Sequence, residues 1–252
     1  MKYIKNSRVS VVTVCFNSAK FIRNNIESVN KQKYNNIEHI FIDGKSNDNT
    51  LEIIKKYSIR DLTVISEKDK GIYDAMNKGV KIAEGDFICF LNSDDIYSNE
   101  FVISEVVESF ISQKVDLVYG NIKYFNKNNI HTRTFNSPKK FIDVLQGYQI
   151  PHPALFIKSR VLKKLELPFD PRYKIASDFK QQLYLAFNCD LTSSRVNKII
   201  VNMRTGGQSN KNILNRIMGW GEVLKSYQEI TNKNGIIFLM KKVLINFLGL
   251  IN

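Results

Sequence analysis

The chain has 252 residues, of which 43% are hydrophobic, so it can bury a large α/β core and is not disordered. Its cysteines, Cys15, Cys89 and Cys189, are odd in number and widely spaced, which predicts reduced thiols rather than disulfides or a zinc site. The formal charge of +13 favours a polyanionic partner, either an anionic membrane surface or a phosphorylated substrate. No nucleic-acid-binding signature is present, and no apolar run reaches the ~20 residues of a spanning helix, so an integral membrane protein is not expected. The reduced thiols predict a reducing compartment, so the expected location is the cytoplasm or the inner face of the cell membrane.

Strand-like and helix-like patterns alternate in the N-terminal part of the chain. Strands are expected at residues 9–16, 38–43, 62–66 and 85–91, and helices follow the first three at 19–32, 50–57 and 72–83. Strand–helix units in succession predict a parallel sheet with helices on both faces. We therefore expect an α/β domain at residues 1–209 and C-terminal helices at 210–252.

Polar side chains follow each of these strands: Asn17, Asp43, Glu67 with Asp69, and Asp94 with Asp95. The carboxyl ends of parallel strands share one edge of the sheet, where open α/β folds bind ligands. Asp94 and Asp95 are either metal ligands or a turn that caps the next helix. Asp43 ends an apolar strand, where a carboxylate needs a partner such as the ring N–H of a nucleobase.

Three features of the second half are candidate site elements, and the first two of them have two interpretations each. His152, between two prolines, is either a surface turn residue or a site residue at a sheet edge. Asp178 opens a helix, where it either caps the helix or stands ready to accept a proton. Gly206 and Gly207 form a turn whose amides are suited to phosphate, although such a pair is weak evidence.

The C-terminal tail, residues 234–252, carries an apolar stripe: Ile236, Met240, Val243, Phe247 and Leu250. Lys241, Lys242, Asn246 and Gly249 lie on another side, and Phe238 and Ile245 interrupt that polar sector. The tail is therefore either a helix packed on the domain or on a second copy, or an interfacial helix on an anionic bilayer, and the basic charge favours the bilayer.

Four segments together resemble glycosyltransferase family 2, which has the GT-A fold: residues 9–17, 42–50, 66–79 and 90–95. The resemblance extends over roughly residues 9 to 209, and the run at 72–79 is similar to the bacterial capsule, O-antigen and colanic-acid branch. It implies a Rossmann-like, mostly parallel sheet flanked by helices. It also implies a nucleotide-sugar donor, a Mn²⁺ or Mg²⁺ cofactor and an inverting mechanism.

The resemblance assigns roles to individual residues. Asn17 and Asp43 would line the nucleotide pocket, and Asp43 would contact the nucleobase. Asp94 would face the ribose and Asp95 would bind the metal, while Asn92 stands where the family usually has an acid. The other donor-side positions are Glu67, Asp69, Asp74, Gly206, Gly207 and Ser209. Asp178 would be the base that deprotonates the acceptor, and His152, in the family's Pro-His turn, is a further candidate metal ligand.

Three hypotheses follow. The first is a metal-dependent inverting glycosyltransferase that extends a lipid-linked bacterial glycan at the inner membrane face. The second is a sugar-nucleotide nucleotidyltransferase, which would need a glycine-rich loop after the first strand, where this chain has residues 17–20, Asn-Ser-Ala-Lys. The third is a non-catalytic nucleotide-sugar-binding assembly partner. A homodimer is compatible with each of them.

Overall fold

The computed structural model describes residues 7–126, 130–206 and 213–248. Within them the strands are β1 (Val9–Cys15), β2 (Ile37–Asp43), β3 (Asp61–Ser66), β4 (Phe87–Phe90), β5 (Ile96–Tyr97), β6 (Leu117–Phe125), β7 (His131–Phe135), β8 (Leu155–Lys158) and β9 (Ser193–Arg204). The α-helices are α1 (Ile22–Asn30), α2 (Thr50–Tyr57), α3 (Ile72–Ile82), α4 (Val102–Gln113), α5 (Ser159–Lys163), α6 (Ser177–Asn188), α7 (Ile213–Thr231) and α8 (Ile236–Leu248). Two 3-10 helices, Phe141–Gln146 and His152–Ala154, precede β8.

The strands form one sheet in the order β3-β2-β1-β4-β8-β6-β9-β5, with β7 paired to β6. The expected parallel arrangement is confirmed for β3, β2, β1 and β4. Beyond β4 the sheet is mixed: β8 is antiparallel to both of its neighbours and β5 and β7 are also added antiparallel, whereas β6 and β9 pair in parallel. A single short strand, β8, thus converts the parallel half into a mixed sheet.

Strands β1, β2 and β4 of the parallel half are buried on both faces, which explains their apolar runs, whereas the edge strand β3 is not. Every residue of β1 and of β2 is buried. Helix α3 lies especially close to β1, since a Cβ built on Gly79 would be 2.4 Å from Cγ1 of Val12. This close packing brings the first turn of α3 beside the carboxyl ends of the strands.

Strand β5 was not expected from the sequence, because two residues carry no usable periodicity. It comes directly after Asp95 and pairs with β9, where Ile96 is opposite Asn202. The pairing holds the segment that contains the two adjacent aspartates against the end of β9. The second half of the sheet therefore helps to position the candidate metal ligands.

Helices α7 and α8 form a hairpin that packs on α6. Tyr227 of α7 stacks on Phe238 of α8 with ring centroids 4.2 Å apart, and Phe238 lies 6.2 Å from Phe179 of α6. In the three described ranges no helix has both the length and the apolar character to cross a bilayer. The expected domain boundary at residues 209 and 210 lies outside the described residues.

The tail helix does not face the domain with its apolar stripe. Phe238 and Lys242, from the sector expected to be polar and exposed, are buried against the protein at 5% exposure each. Ile236, Met240 and Phe247 of the apolar stripe are instead more than half exposed. Phe238, which interrupted the polar sector, thus attaches α8 to the domain together with Lys242.

Candidate functional site

Side-chain hydrogen bonds join the loops after β1, β2 and β4. The hydroxyl of Ser46 accepts the backbone N–H of Asn17 at 2.8 Å, and the hydroxyl groups of Ser18 and Ser93 are 3.0 Å apart. The loop after β3 joins them, since the Glu67 N–H donates to the Asp43 carbonyl at 3.0 Å. The expected convergence of the strand ends is therefore present in the fold.

Asn17 is held in a conformation that suits a tight turn. Its φ is 50°, in the left-handed region that asparagine tolerates better than most residues. Its side-chain oxygen accepts the backbone N–H of Asn47 at 3.0 Å. Asn17 thus fastens the β1 loop to the β2 loop, beside Asp43.

Asp43 is fully buried and hydrogen-bonded by its own chain. Oδ1 accepts the Ser46 hydroxyl at 2.5 Å, while Oδ2 accepts the Ser66 hydroxyl at 2.6 Å and the Ser46 N–H at 3.0 Å. Ser46 and Ser66 are thus the partners that a buried acid at a strand end requires. The arrangement fixes the carboxylate at the centre of the converging loops.

Asp95 is the more buried of the adjacent aspartates, at 1% exposure, and Asp94 is half-buried. Asp95 accepts the Asn92 side-chain amide at 2.8 Å and the Arg204 N–H at 3.2 Å. Burial raises the pKa of both carboxyl groups, and the charge of Asp94 raises the pKa of Asp95 further. Two carboxylates crowded in this way gain from a bound cation.

A metal at this position would need ligands from elsewhere. The structure, in the ranges it describes, contains no group of three or more His, Cys, Asp or Glu side chains arranged to hold a metal ion. Asp94 and Asp95 nevertheless fit the one or two carboxylates by which proteins hold Mg²⁺ when substrate phosphates and water complete the coordination. The pair therefore suits a cation that arrives with a diphosphate.

Glu67, Asp69 and Asp74 surround one lysine at the edge formed by β3 and α3. The Lys78 ammonium group lies 2.8 Å from Glu67, 2.6 Å from Asp69 and 3.5 Å from Asp74. Burial lowers the pKa of Lys78, but the hydrogen bonds to Asp69 and Glu67 raise it above its usual value overall. The three acids thus form a partly neutralised cluster beside Asp43, and Asp69 lies close to Gly44.

His152 is buried, at 7% exposure, so the interpretation as a surface turn residue is wrong. Its ring lies 4.9 Å from the Phe90 ring and 5.3 Å from the Phe169 ring, centroid to centroid, beside the end of β4. Burial lowers its pKa to about 4, so the imidazole is neutral at physiological pH. A neutral imidazole at this place is compatible with the candidate role as a ligand, which stays a prediction.

Asp178 lies in the first turn of α6 and contacts the helix that follows β3. Its Oδ1 accepts the hydroxyl of Tyr73, from the first turn of α3, at 3.3 Å. Burial raises the pKa of Asp178, whereas the Phe179 N–H and the positive charge of Lys242 lower it. A half-buried carboxylate with a raised pKa is suited to accepting a proton.

The loop after β9 is only partly described. Gly206 has φ +101°, a conformation that favours glycine, and a Cβ there would meet nothing within 4 Å. Gly207 and Ser209 lie outside the described residues. Arg204, just before this loop, places its guanidinium 4.6 Å from the Phe21 ring centroid.

Sequence reasoning missed three residues at this site. Arg204 donates its N–H to Asp95, and its positive charge lowers the pKa of both adjacent aspartates. Glu222 of α7 accepts the N–H groups of residues 174–176, which lead into α6. Lys242 of α8 contributes its charge to Asp178. Of the three, only Arg204 could have been found from the sequence, because it is a basic residue that ends an apolar strand near the glycine turn.

A family comparison covers most of the domain. Residues 10–165 match the model of glycosyl transferase family 2. An uncharacterised glycosyltransferase of Mycobacterium tuberculosis is 33% identical over 193 residues, covering 74% of this chain and 72% of the relative. A UDP-Glc:alpha-D-GlcNAc-diphosphoundecaprenol beta-1,3-glucosyltransferase of Escherichia coli is 37% identical over 166 residues, which are 64% of each chain.

Solved structures of the same fold contain donors. The Staphylococcus aureus protein TarS in complex with UDP-GlcNAc has a TM-score of 0.72 at 19% identity, covering 96% of this chain and 73% of TarS. A Pyrobaculum calidifontis mannosyltransferase with GDP-Man and Mn²⁺ has a TM-score of 0.67 at 13% identity, covering 96% of this chain and 71% of that enzyme. The nucleotidyltransferase and the non-catalytic partner hypotheses are therefore set aside. The chain belongs to glycosyltransferase family 2, has the GT-A fold and is a glycosyltransferase.

Proposed function

We propose that the protein is a metal-dependent, inverting glycosyltransferase that moves a sugar from a nucleotide sugar to a hydroxyl group of a lipid-linked glycan. The observation that carries the proposal is the contact between Tyr73 and Asp178. It brings a half-buried carboxylate with a raised pKa to the same edge of the sheet as Asp43, Asp94 and Asp95. One edge of the sheet thus holds both the acidic donor site and, separately, a candidate catalytic base, Asp178.

On the donor side, Asp43 and Asn17 bind the nucleoside, and Asp43 contacts its nucleobase. Asp94 faces the ribose, and Asp95 is the metal ligand that we favour; His152 is a further candidate. A bound Mn²⁺ or Mg²⁺ supplies positive charge that stabilises the leaving diphosphate. Gly206, with Gly207 and Ser209, borders the donor on the side of β9.

On the acceptor side, Asp178 accepts the proton of the acceptor hydroxyl. The acceptor oxygen forms a bond to the anomeric carbon while the bond from that carbon to the diphosphate oxygen breaks, and the electron pair leaves with the nucleoside diphosphate. Attack from the face opposite the leaving group inverts the anomeric configuration. Burial keeps the pKa of Asp178 raised, so the carboxylate is a stronger base than an exposed aspartate.

The acceptor class is proposed from the relative in Escherichia coli, whose acceptor is a sugar joined by a diphosphate to undecaprenol. We place this chain in bacterial surface polysaccharide synthesis, on the cytoplasmic side of the membrane, where a polyprenyl acceptor and nucleotide sugars meet. The net charge of +13 supports a phosphorylated acceptor.

The proposal is tested with a panel of UDP-, GDP-, CMP- and dTDP-sugars, each with and without Mn²⁺. We expect thermal stabilisation by one nucleotide class and Mn²⁺-dependent donor hydrolysis by the same class. Asp178→Asn is expected to retain donor binding and to lose transfer to an acceptor. Unchanged transfer by Asp178→Asn would refute the assignment of Asp178 as the catalytic base. A donor turnover rate that is the same with Mn²⁺, without Mn²⁺ and with a chelator would refute the metal dependence.

A further inference from the structure

The outer face of α8 is an unbroken apolar stripe. Five residues on it are exposed to between 54% and 70%: Ile236, Ile237, Met240, Leu244 and Phe247. At 100° per residue these positions fall within one arc of about 100°, on the side of the helix opposite Phe238 and Lys242. Helix α8 therefore carries an exposed apolar side in addition to the side that is buried against the domain.

Helix α7 repeats this pattern in its N-terminal part. Its buried residues, Gly219, Val223 and Ser226, lie on one side. The exposed hydrophobic residues, at 40% to 74%, lie on the other: Ile213, Leu214, Ile217, Met218 and Trp220. The antiparallel hairpin of α7 and α8 thus presents two exposed apolar stripes, which we call the outer face. An exposed apolar stripe on each of two paired helices is the kind of surface that marks an interaction site.

The charges of the hairpin indicate which partner this face has. The acidic residues between 213 and 248 are Glu222 and Glu229. Both are directed to the domain: Glu222 binds the N–H groups of residues 174–176, and Glu229 pairs with Lys180. Arg216, Lys233 and Lys241 are exposed. Solvent on the outer side of the hairpin therefore meets apolar side chains bordered by positive charge.

We propose that the outer face of the α7–α8 hairpin docks on an anionic lipid bilayer. Apolar side chains bordered by lysine and arginine are what an interfacial helix needs, because the chains enter the acyl boundary while the cations remain among anionic headgroups. A second copy of the chain is the other occupant to consider. Pairing two outer faces would bring two sets of like charges together, on subunits of charge +13 each, so the bilayer is favoured.

Docking in this orientation would also hold the candidate catalytic base, Asp178, close to the bilayer surface. The inner side of α8 carries Lys242, whose charge acts on Asp178, and the outer side lies about one helix diameter, ~10 Å, away. An acceptor hydroxyl joined to a lipid by a diphosphate and a sugar spans a distance of this order. This step rests on the proposed acceptor, but the docking itself does not.

The test uses the full chain and vesicles of pure phosphatidylcholine or of phosphatidylcholine with about one third phosphatidylglycerol. Trp220, on the outer face, is the only tryptophan of the protein and reports binding directly. We expect co-flotation with the anionic vesicles, a blue shift of the Trp220 emission, and quenching by brominated lipid. Affinity is expected to fall as salt is raised.

The key variant is the triple substitution Ile237→Gln, Met240→Gln, Leu244→Gln, which removes apolar area without touching the inner side of α8. We expect it to lower vesicle affinity at least tenfold and to keep the parent's melting temperature. The matched control is Ile59→Gln, an equally exposed hydrophobic residue (76%) far from the hairpin in sequence, which should bind as the parent does. Arg216→Glu with Lys241→Glu should remove the preference for anionic vesicles.

Two results would overturn the proposal. One is a parent protein that does not float with anionic vesicles at about 0.15 M salt. The other is binding that survives the triple substitution. A dimer in light scattering that the triple variant abolishes, without vesicle binding by the parent, would assign the outer face to a second copy. Donor hydrolysis measured without vesicles tests the proposed function separately, so the two can fail independently.

Discussion

The positive charge of Lys242 acts on the carboxylate of Asp178 across the contact between α8 and α6. Lys242 is 5% exposed, donates to the Gln149 side-chain oxygen at 3.0 Å and lies 3.6 Å from the Phe179 ring centroid. Burial lowers its pKa to about 7, although the charge of Asp178 opposes that shift. A helix from the end of the chain thus completes the surroundings of the candidate base.

The first prediction concerns the pH dependence of transfer. Lys242 lowers the pKa of Asp178, so Lys242→Met should raise that pKa and shift the acidic limb of the kcat profile to higher pH. The profile is measured with a soluble acceptor analogue, so that membrane binding plays no part. Lys241→Met, the exposed neighbour, is the control and should leave the limb in place. A limb that does not move in Lys242→Met would show that Lys242 does not act on the base.

The second prediction concerns stability and follows from the pKa of Lys242 itself. Its ordinary value is 10.5 and its value in the folded protein is about 7, so between these pH values the unfolded chain holds a proton that the native state lacks. The free energy of unfolding should therefore rise with pH between these two values. Below pH 7 the buried Lys242 is charged in the native state, and its burial destabilises the fold to the full extent. Urea unfolding at pH 7 and pH 9.5 measures the slope. Lys242→Met should flatten this rise, and an equal slope in that variant would assign it to other groups.

The third prediction concerns Asn92, whose side-chain amide donates to Asp95 at 2.8 Å. Asn92→Asp replaces a donor by a third carboxylate, which should cost the metal-free protein ~1–3 kcal/mol. It should also increase the thermal stabilisation that Mn²⁺ produces together with a nucleoside diphosphate. Asn24→Asp makes the same change at an exposed position on α1 and should do neither. A variant whose melting temperature responds to Mn²⁺ no more than the parent's would argue against metal binding at this pair.

The sequence predicts the parallel half of the fold well, because apolar runs and helical periodicity are local signals. It also predicts that Asn17, Asp43 and Asp94 meet, because parallel strands share an edge. It does not predict that Ser66 binds Asp43, since this contact depends on the register between β2 and β3. The tail helix shows the same limit: its period is correct, but which side is buried depends on Phe179 of α6, far away in the sequence.

The fourth prediction concerns Glu222, which accepts the N–H groups of Lys174, Ile175 and Ala176 at 2.7, 2.9 and 2.8 Å. Glu222→Ala leaves these donors without this partner just before α6, which should lower stability by ~1–3 kcal/mol. Because the segment positions Asp178, kcat should fall more than the donor KM changes. Thermal unfolding and steady-state kinetics are compared with Glu108→Ala, an exposed residue of α4. A loss of stability with unchanged kcat would limit Glu222 to a structural role.

The fifth prediction concerns the close packing of α3 on β1. A Cβ at Gly79 would lie 2.4 Å from Val12 Cγ1, so Gly79→Ala should overpack the core and cost ~1–3 kcal/mol. Gly221→Ala, in α7 with nothing within 4 Å of its Cβ, should instead stabilise the protein by ~0.5–1 kcal/mol through helix propensity. The two variants make the same chemical change, so opposite signs in urea unfolding isolate the contact with Val12. The double variant Val12→Ala, Gly79→Ala should then lose less stability than the sum of the two single variants, because the methyl group that meets the new Cβ is gone. If the two losses simply add, the cost at Gly79 does not come from this contact.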